Sequence, residues 1–248
     1  MNLNEQLIQA SRIGDLSQVK SLILQRSADI HARDDYALRW AAEEGHLQIV
    51  KYMVKDCGAD VHARDDEALR FAAEEGHLEV VKYLVKDCGA DVHARDDEAL
   101  RNAAEEGHLE VVKYLVTKGA DVHALIDYAL RWAAHNGHLE TVKYLVTKGA
   151  DVHVFDDYAL RSAARNGHLE VVKYLLANGA DVHAWDDYAL RWAAHNEHLE
   201  IVKYLKKHID KQNLRYVFQQ YELPFDIQQL ISSYVLKKPK TKVGLTIH

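Results

Sequence analysis

The sequence predicts an all-α solenoid of about seven helix-turn-helix repeats closed by a C-terminal helical cap. Three observations predict it. The block Ala-Asp-(Val/Ile)-His starts at Ala28, Ala59, Ala90, Ala120, Ala150 and Ala180, a period of 30 or 31 residues, and a fixed period of that length marks a stack of small supersecondary units. Between these markers run two further blocks, Ala-Leu-Arg-x-Ala-Ala from Ala37, Ala68, Ala99, Ala129, Ala159 and Ala189, and Gly-His-Leu from Gly45, Gly76, Gly107, Gly137 and Gly167, which becomes Glu197-His198-Leu199 in the last copy. The only two prolines are Pro224 and Pro239, so no residue of that type interrupts a helix through the whole repeating part.

Within a repeat, Asp34 and Asp35 precede the first helix and are expected to cap its free N–H groups. Leu38, Ala41 and Ala42 fall at i, i+3 and i+4 and form one buried stripe, with the small alanines letting neighbouring repeats approach. Gly45 ends the helix where a left-handed residue is wanted. The second helix is expected from His46 to about Asp56, with Leu47, Val50 and Met53 or Val54 inward, and residues 59–66 as an extended connection. The N-terminal segment is a degenerate copy: Ala10, Gly14, Leu16, Val19, Leu22 and Ala28 each stand 31 residues before their counterparts. No repeat buries its stripe alone, so stacking must supply the core. After the repeats, Leu214, Val217, Phe218 and Tyr221, then Ile227, Leu230, Ile231 and Tyr234, follow the same helical spacing, with Pro224 opening the second helix. The domain reading is a solenoid over 1–208, an amphipathic helix pair over 209–236 and a basic, disordered tail over 237–248.

Residues 107–124, Gly-His-Leu-Glu-Val-Val-Lys-Tyr-Leu-Val-Thr-Lys-Gly-Ala-Asp-Val-His-Ala, resemble the second helix and following loop of the ankyrin repeat. The resemblance recurs seven times and implies paired helices joined by a protruding hairpin. The family's repeat has about 33 residues and opens with Thr-Pro-Leu-His; here Asp-Tyr-Ala-Leu-Arg or Asp-Glu-Ala-Leu-Arg stands instead, so the hairpin should be shortened or reduced to a turn. This compact style is similar to the ankyrin proteins of giant DNA viruses of amoebae. It implies a non-enzymatic scaffold for protein–protein interaction, working in the host cytoplasm if the source is viral.

Composition agrees with a soluble globular chain: 48% hydrophobic and 28% charged residues, with a net charge of −7. That charge argues against nucleic acid as a partner, and no apolar run approaches the length of a membrane span. The N-terminus lacks the basic and apolar regions of a secretory signal. Two cysteines make no disulfide framework and favour a reducing, cytoplasmic setting for a monomer.

Sixteen histidines invite a metal hypothesis, but twelve fall into two rows: His46, His77, His108, His138, His168 and His198, and His31, His62, His93, His123, His153 and His183. Equivalent positions on packed helices lie about 8–10 Å apart, too far for two imidazoles to share a zinc. The same spacing keeps Cys57 and Cys88 from pairing; they should be free, half-buried thiols. No phosphate loop or nucleophile elbow occurs, and carboxylate pairs such as Glu43-Glu44, Glu74-Glu75 and Glu105-Glu106 recur by repeat. The expectation is no catalytic site, no cofactor and no metal.

Scaffold positions should be constant between repeats and ligand-reading positions variable. The position before the Asp pair reads Arg33, Arg64, Arg95, Leu125, Phe155, Trp185. The position after Leu-Arg reads Trp40, Phe71, Asn102, Trp132, Ser162, Trp192, and the helix-ending pair changes from Glu-Glu to His135-Asn136, Arg165-Asn166 and His195-Asn196. By the family resemblance these positions lie on the hairpin and the partner-binding face. The candidate protein-binding residues are therefore Leu125, Phe155, Trp185, Tyr128, Tyr158, Tyr188, Trp132, Trp192, His135, Arg165 and His195; core packing is the competing reading for Trp132 and Trp192.

The tail segment Leu223-Pro224-Phe225-Asp226-Ile227-Gln228-Gln229-Leu230-Ile231 is similar to the opening of an F-box, with Asp226 where Glu is usual. It also resembles the truncated form that ends poxvirus ankyrin proteins. That implies recruitment of cullin-type ubiquitin-ligase components through Leu223, Pro224, Ile227 and Ile231, beside the plainer role of covering the last repeat. Residues 201–248 carry a net charge of +6 against −13 for residues 1–200, and Lys237-Lys238-Pro239-Lys240-Thr241-Lys242 has the composition of a nuclear-import signal.

Overall fold

The computed structural model describes residues 2–209 and, beyond them, Gln229. The described part is helical, in seven successive pairs: α1 (Leu3–Arg12) and α2 (Leu16–Leu24); α3 (Ala32–Glu43) and α4 (Leu47–Lys51); α5 (Ala63–Glu74) and α6 (Leu78–Asp87); α7 (Ala94–Glu105) and α8 (Leu109–Thr117); α9 (Ala124–Asn136) and α10 (Leu139–Thr147); α11 (Val154–Asn166) and α12 (Leu169–Ala177); α13 (Ala184–His195) and α14 (Leu199–Leu205). They belong to two compact bodies divided between Val154 and Phe155. In the first, each first helix packs on the first helices of the neighbouring repeats (α1 on α3, α3 on α5, α5 on α7, α7 on α9) and on its own second helix. In the second, α14 packs on α12 and α13. The tail helices, the F-box-like residues Leu223, Pro224, Ile227 and Ile231, and the lysine-rich end all lie outside the described residues.

The core repeats as the sequence does. Leu38, Ala41 and Ala42 have no exposed surface, nor do their counterparts in the five later repeats. On the second helix the inward residues are Ile49, Val50 and Met53, while Leu47 and Val54 stay half-buried. The inward row thus takes Ile49 in place of Leu47, since Ile49, Val50 and Met53 at i, i+1 and i+4 share one helical face. Replacing Leu100, which is fully buried, by alanine is expected to cost about 2–5 kcal/mol, read from the midpoint of denaturant unfolding.

The connection is not extended. Arg33, Asp34 and Asp35 adopt left-handed backbone angles, φ 57, 57 and 58°, and the same three-residue left-handed turn opens every later first helix. This turn is what remains in place of a hairpin, and no strand occurs among the described residues. A left-handed residue with a side chain costs about 1–2 kcal/mol, which Asp tolerates best because its carboxylate bonds locally. The bonds that offset this cost are repeated. Arg39 Nε and Nη2 donate to the carbonyls of Asp34 (3.2 Å) and Arg33 (2.7 Å), and Arg70, Arg101, Arg131, Arg161 and Arg191 do the same in their own turns.

The second Asp of each pair is buried. Asp35 does not cap its helix: its carboxylate meets His31 Nδ1 at 3.1 Å and accepts from the backbone N–H of Asp60, in the next repeat, at 3.0 Å. Asp66, Asp97, Asp127 and Asp157 accept in the same way from Asp91, Asp121, Asp151 and Asp181. The aspartate therefore ties one repeat to the next, and the loop histidine holds it in place.

The other histidine row packs on glycine. A Cβ on Gly45, Gly76 or Gly107 would fall 2.4–2.5 Å from Nδ1 of His77, His108 or His138. His46 Nε2 also bonds the carbonyl of Arg12 at 2.9 Å, and His198 that of Arg165 at 2.9 Å.

The 31-residue repeats absorb their extra residue at the end of the second helix. There Tyr52–Asp56 forms a π-helical turn after α4, and in the next repeat the N–H of Cys88 reaches back five residues to Tyr83. Cys57 and Cys88 are free and half-buried. Burial pushes the Cys88 thiol up, so at pH 8 it should react with a thiol reagent more slowly than a free cysteine; an equal rate would show an open site.

Candidate functional site

The positions that vary between repeats fall into an exposed group and a half-buried one. The left-handed turn lifts its first residue into solvent: Leu125, Phe155 and Trp185 are 47, 52 and 61% exposed. Arg33, Arg64 and Arg95 are exposed at the same place, and since they share the backbone conformation, the turn itself belongs to the scaffold and only the side chains differ. Ile126, 56% exposed, joins this group. Reading the sequence for the residue before the Asp pair passes over it, although its signal was present, since it stands where the other repeats carry the first Asp.

In the second body the variable residues come together. Along α13 the rings of Trp185, Tyr188, Trp192 and His195 follow one another at centroid separations of 5.3, 5.6 and 5.2 Å. Two arginines from α11 press on this ladder. The Arg161 guanidinium lies 4.5 Å from the Trp185 ring centre and 5.1 Å from that of Tyr188, and Arg165 lies 4.6 Å from that of Trp192. Tyr158, on α11 itself, has its ring centre 5.7 Å from the Arg161 guanidinium. Burial draws the Arg161 pKa down from its ordinary value. Phe155 and Trp185 are exposed, Tyr158, Tyr188 and Trp192 half-buried, and Arg165 and His195 exposed.

In the first body Tyr128, Trp132 and His135 form a similar run on α9, at 5.6 and 4.8 Å. Here the tyrosine does more packing than display. Tyr128 donates to Glu105 at 3.0 Å and lies under Arg101 at 5.1 Å; burial first, then the bond to Glu105, pushes its hydroxyl pKa up. Its position is one through which a repeat meets the Leu-Arg arginine of the repeat before. Glu67 takes Arg39, Glu98 takes Arg70 at 2.8 Å, and the rings of Tyr128 and Tyr188 take Arg101 and Arg161. The exchange of Glu for Tyr between early and late repeats is thus an exchange of ion pair for cation–π contact. Asn136 and Asn196 are likewise structural, donating to the carbonyls of Glu105 (2.8 Å) and Arg165 (2.7 Å) in the preceding repeat.

The early repeats of the first body present carboxylates instead. Burial together with Glu44, Glu75 and Glu74 raises the Glu43 pKa, and burial and Glu75 raise that of Glu74, even though Asn102 donates to Glu74 at 3.0 Å. No group of three or more His, Cys, Asp or Glu among the described residues is placed to hold a metal ion. Among those residues no helix is long and apolar enough to cross a membrane.

The family model for ankyrin repeats matches the chain in three copies, over residues 7–96, 100–186 and 160–217. The chain belongs to the ankyrin-repeat family. No curated protein matches it. Ankyrin repeats are interaction modules rather than catalysts, and the packing described above shows how this chain builds them with a left-handed turn for a hairpin. In these ankyrin repeats the constant Asp, Arg, Gly and His residues hold repeat to repeat, which leaves the variable residues as the surface that differs along the chain.

Proposed function

We propose that the chain is a protein-binding scaffold whose partner is held on the variable ankyrin surface. In the second body that surface is Phe155, Trp185, Tyr158, Tyr188, Trp192, Arg165 and His195; Leu125, Tyr128, Trp132 and His135 are the first body's share, with Ile126 added. One observation carries the reading: Phe155 and Trp185 expose half or more of their surface at a position where three other repeats place arginine. The left-handed turn forms equally with arginine at this position, so it does not require a large apolar side chain there, while exposed aromatics with arginine at the margin are the composition of interface hot spots.

The test is Phe155→Arg with Trp185→Arg, which copies what Arg33, Arg64 and Arg95 already supply. Capture of the partner from cytosol should be lost, while the melting temperature falls by no more than the few degrees that the Arg161–Trp185 stacking contributes. Loss of cooperative folding would assign the two side chains to packing, and unchanged capture by a folded variant would place the interface elsewhere.

A second reading is that the chain is a bivalent adaptor bringing a cullin-type ubiquitin ligase to that partner. It is supported by Leu223-Pro224-Phe225-Asp226-Ile227 and by Ile231. Ligase components should appear in captures made with the full chain and disappear with a chain ending at His208; equal recovery from both would refute it.

A further inference from the structure

An exposed aromatic row and an exposed arginine row occupy the same place in different repeats. Phe155 and Trp185 open the left-handed turns of α11 and α13, and Arg33 and Arg64 open those of α3 and α5. The Arg33 and Arg64 side chains are 61 and 56% exposed, even though Arg33 pairs with Glu5 and Arg64 with Asp34 and Glu67. Because one repeat generates both rows, each is spaced by one repeat, about 10 Å.

The arginine row borders an open groove of about 590 Å³, within the range of volumes that hold small ligands. Its charges offset one another, Arg33, Arg39 and Arg64 standing against Asp34, Glu43 and Glu67. Net charge therefore selects neither a cation nor an anion as guest. The rest of the lining is the half-buried rings of Tyr36, Trp40 and Phe71. Aromatic walls with guanidinium groups at the rim fit an aromatic guest, and the chain uses that contact between its own repeats. Arg12 lies 4.3 Å from the Trp40 ring centre, Arg161 4.5 Å from that of Trp185 and Arg165 4.6 Å from that of Trp192. Arg12 donates to Glu44 at 3.2 Å while it lies over its ring, so the ion pairs of Arg33 and Arg64 leave stacking open to them.

We propose that this groove receives Trp185 and Phe155 of a second copy of the chain, the first body of one molecule holding the second body of another. The proposal rests on the reading of Phe155 and Trp185 as an interface and names what occupies it; the chain is then not the monomer that its composition suggests. Two rings one repeat apart face two arginines one repeat apart. A foreign surface would have to reproduce that spacing, whereas a copy built from the same repeat has it already. With the turns of both molecules at one edge and the repeats running in opposite directions, Trp185 meets Arg33 and Phe155 meets Arg64. In that register the exposed Asp186 and Asp156, which follow the rings, come to the same two guanidinium groups. At the other end of the helices, the exposed Arg165 comes to the exposed Glu75 and His195 to Glu44. The contact joins unlike patches, and every copy carries both of them.

The test is sedimentation equilibrium of the full chain from micromolar to submillimolar concentration, over which the average mass should rise above that of one molecule. Phe155→Arg with Trp185→Arg removes the rings, and Arg33→Glu with Arg64→Glu removes the arginines. Each variant alone should associate at least about tenfold more weakly than the unaltered chain. Mixed, the two variants should pair one to one, since the first keeps its groove and the second keeps its rings. Phe71→Asn, the residue the following repeat carries as Asn102, alters the groove wall and replaces the arginine variant should that one fail to fold. A full chain that keeps the mass of one molecule at every concentration overturns the proposal. So does undiminished association of either folded variant, or mixed variants that stay apart. If the full chain stays single and the Phe155 and Trp185 variant still loses its capture from cytosol, the second copy is refuted and the protein-binding reading stands with another partner.

Discussion

Arg70→Met is expected to destabilise the first body by about 3 kcal/mol, within the range for breaking a buried ion pair. The Arg70 side chain is 3% exposed and performs three tasks. Its Nε and Nη2 hold the carbonyls of Asp65 (3.1 Å) and Arg64 (3.0 Å), which fixes the left-handed turn, and its Nη1 donates to Glu98 of the next repeat at 2.8 Å. Methionine fills the volume but leaves two carbonyls and most of a carboxylate without this donor. The loss stops short of the upper end of the range because Arg95 Nε still lies 3.4 Å from Glu98. Adding Glu98→Met should restore much of the stability, since removing both charges is far cheaper than removing one. Arg101→Met is the internal control. Arg101 makes the same turn bonds but faces a tyrosine ring and is half-exposed, so its loss should be about 1 kcal/mol. Urea unfolding followed by Trp40 and Trp132 fluorescence separates the cases, and equal losses at Arg70 and Arg101 would show that the ion pair contributes nothing.

Gly76→Ala should cost about 2–5 kcal/mol, from two separable causes. Gly76 has φ +76°, where an alanine is strained, and a Cβ there would stand 2.5 Å from His108 Nδ1. Gly89 has φ +79° and nothing within 4 Å of its would-be Cβ, so Gly89→Ala measures the strain alone, about 1–2 kcal/mol. The excess at Gly76 is the overlap with the imidazole. Shortening His108 to alanine in the Gly76→Ala background should relieve that excess and leave the strain. If Gly76→Ala and Gly89→Ala have the same effect, the histidine row does not need glycine beneath it.

Both experiments address residues that the sequence marks only by constancy. The period, the paired helices, the Leu-Ala-Ala stripe and the glycine helix ends were all legible, because burial periodicity and a preference for left-handed backbone are properties of short segments. The exposure of Leu125, Phe155 and Trp185 followed from the arginines that replace them in other repeats. Three features were not legible in the same way. Asp35 reads as a helix cap but bonds the next repeat, because a carboxylate serves whichever N–H the fold brings to it. The extended connection reads from composition as loop but is a left-handed turn, because the arginine that closes it comes from five or six residues later. Tyr128 and Tyr188 read as display residues but take the arginine of the preceding repeat.

What the sequence by itself determined is the architecture: a 30- or 31-residue repeat of two helices, its apolar stripe, and which positions vary. Those depend on spacing along the chain, and spacing is visible without coordinates. What only the tertiary structure decided is what each variable or charged residue faces. Arg12 rests on Trp40 while Glu43 stands before Phe71, and Arg70 meets Glu98 while Arg161 meets Trp185 and Tyr188. These partners lie about one repeat apart in sequence. A pairing at that distance depends on how far one repeat rotates on the next, which the local pattern of either repeat does not contain.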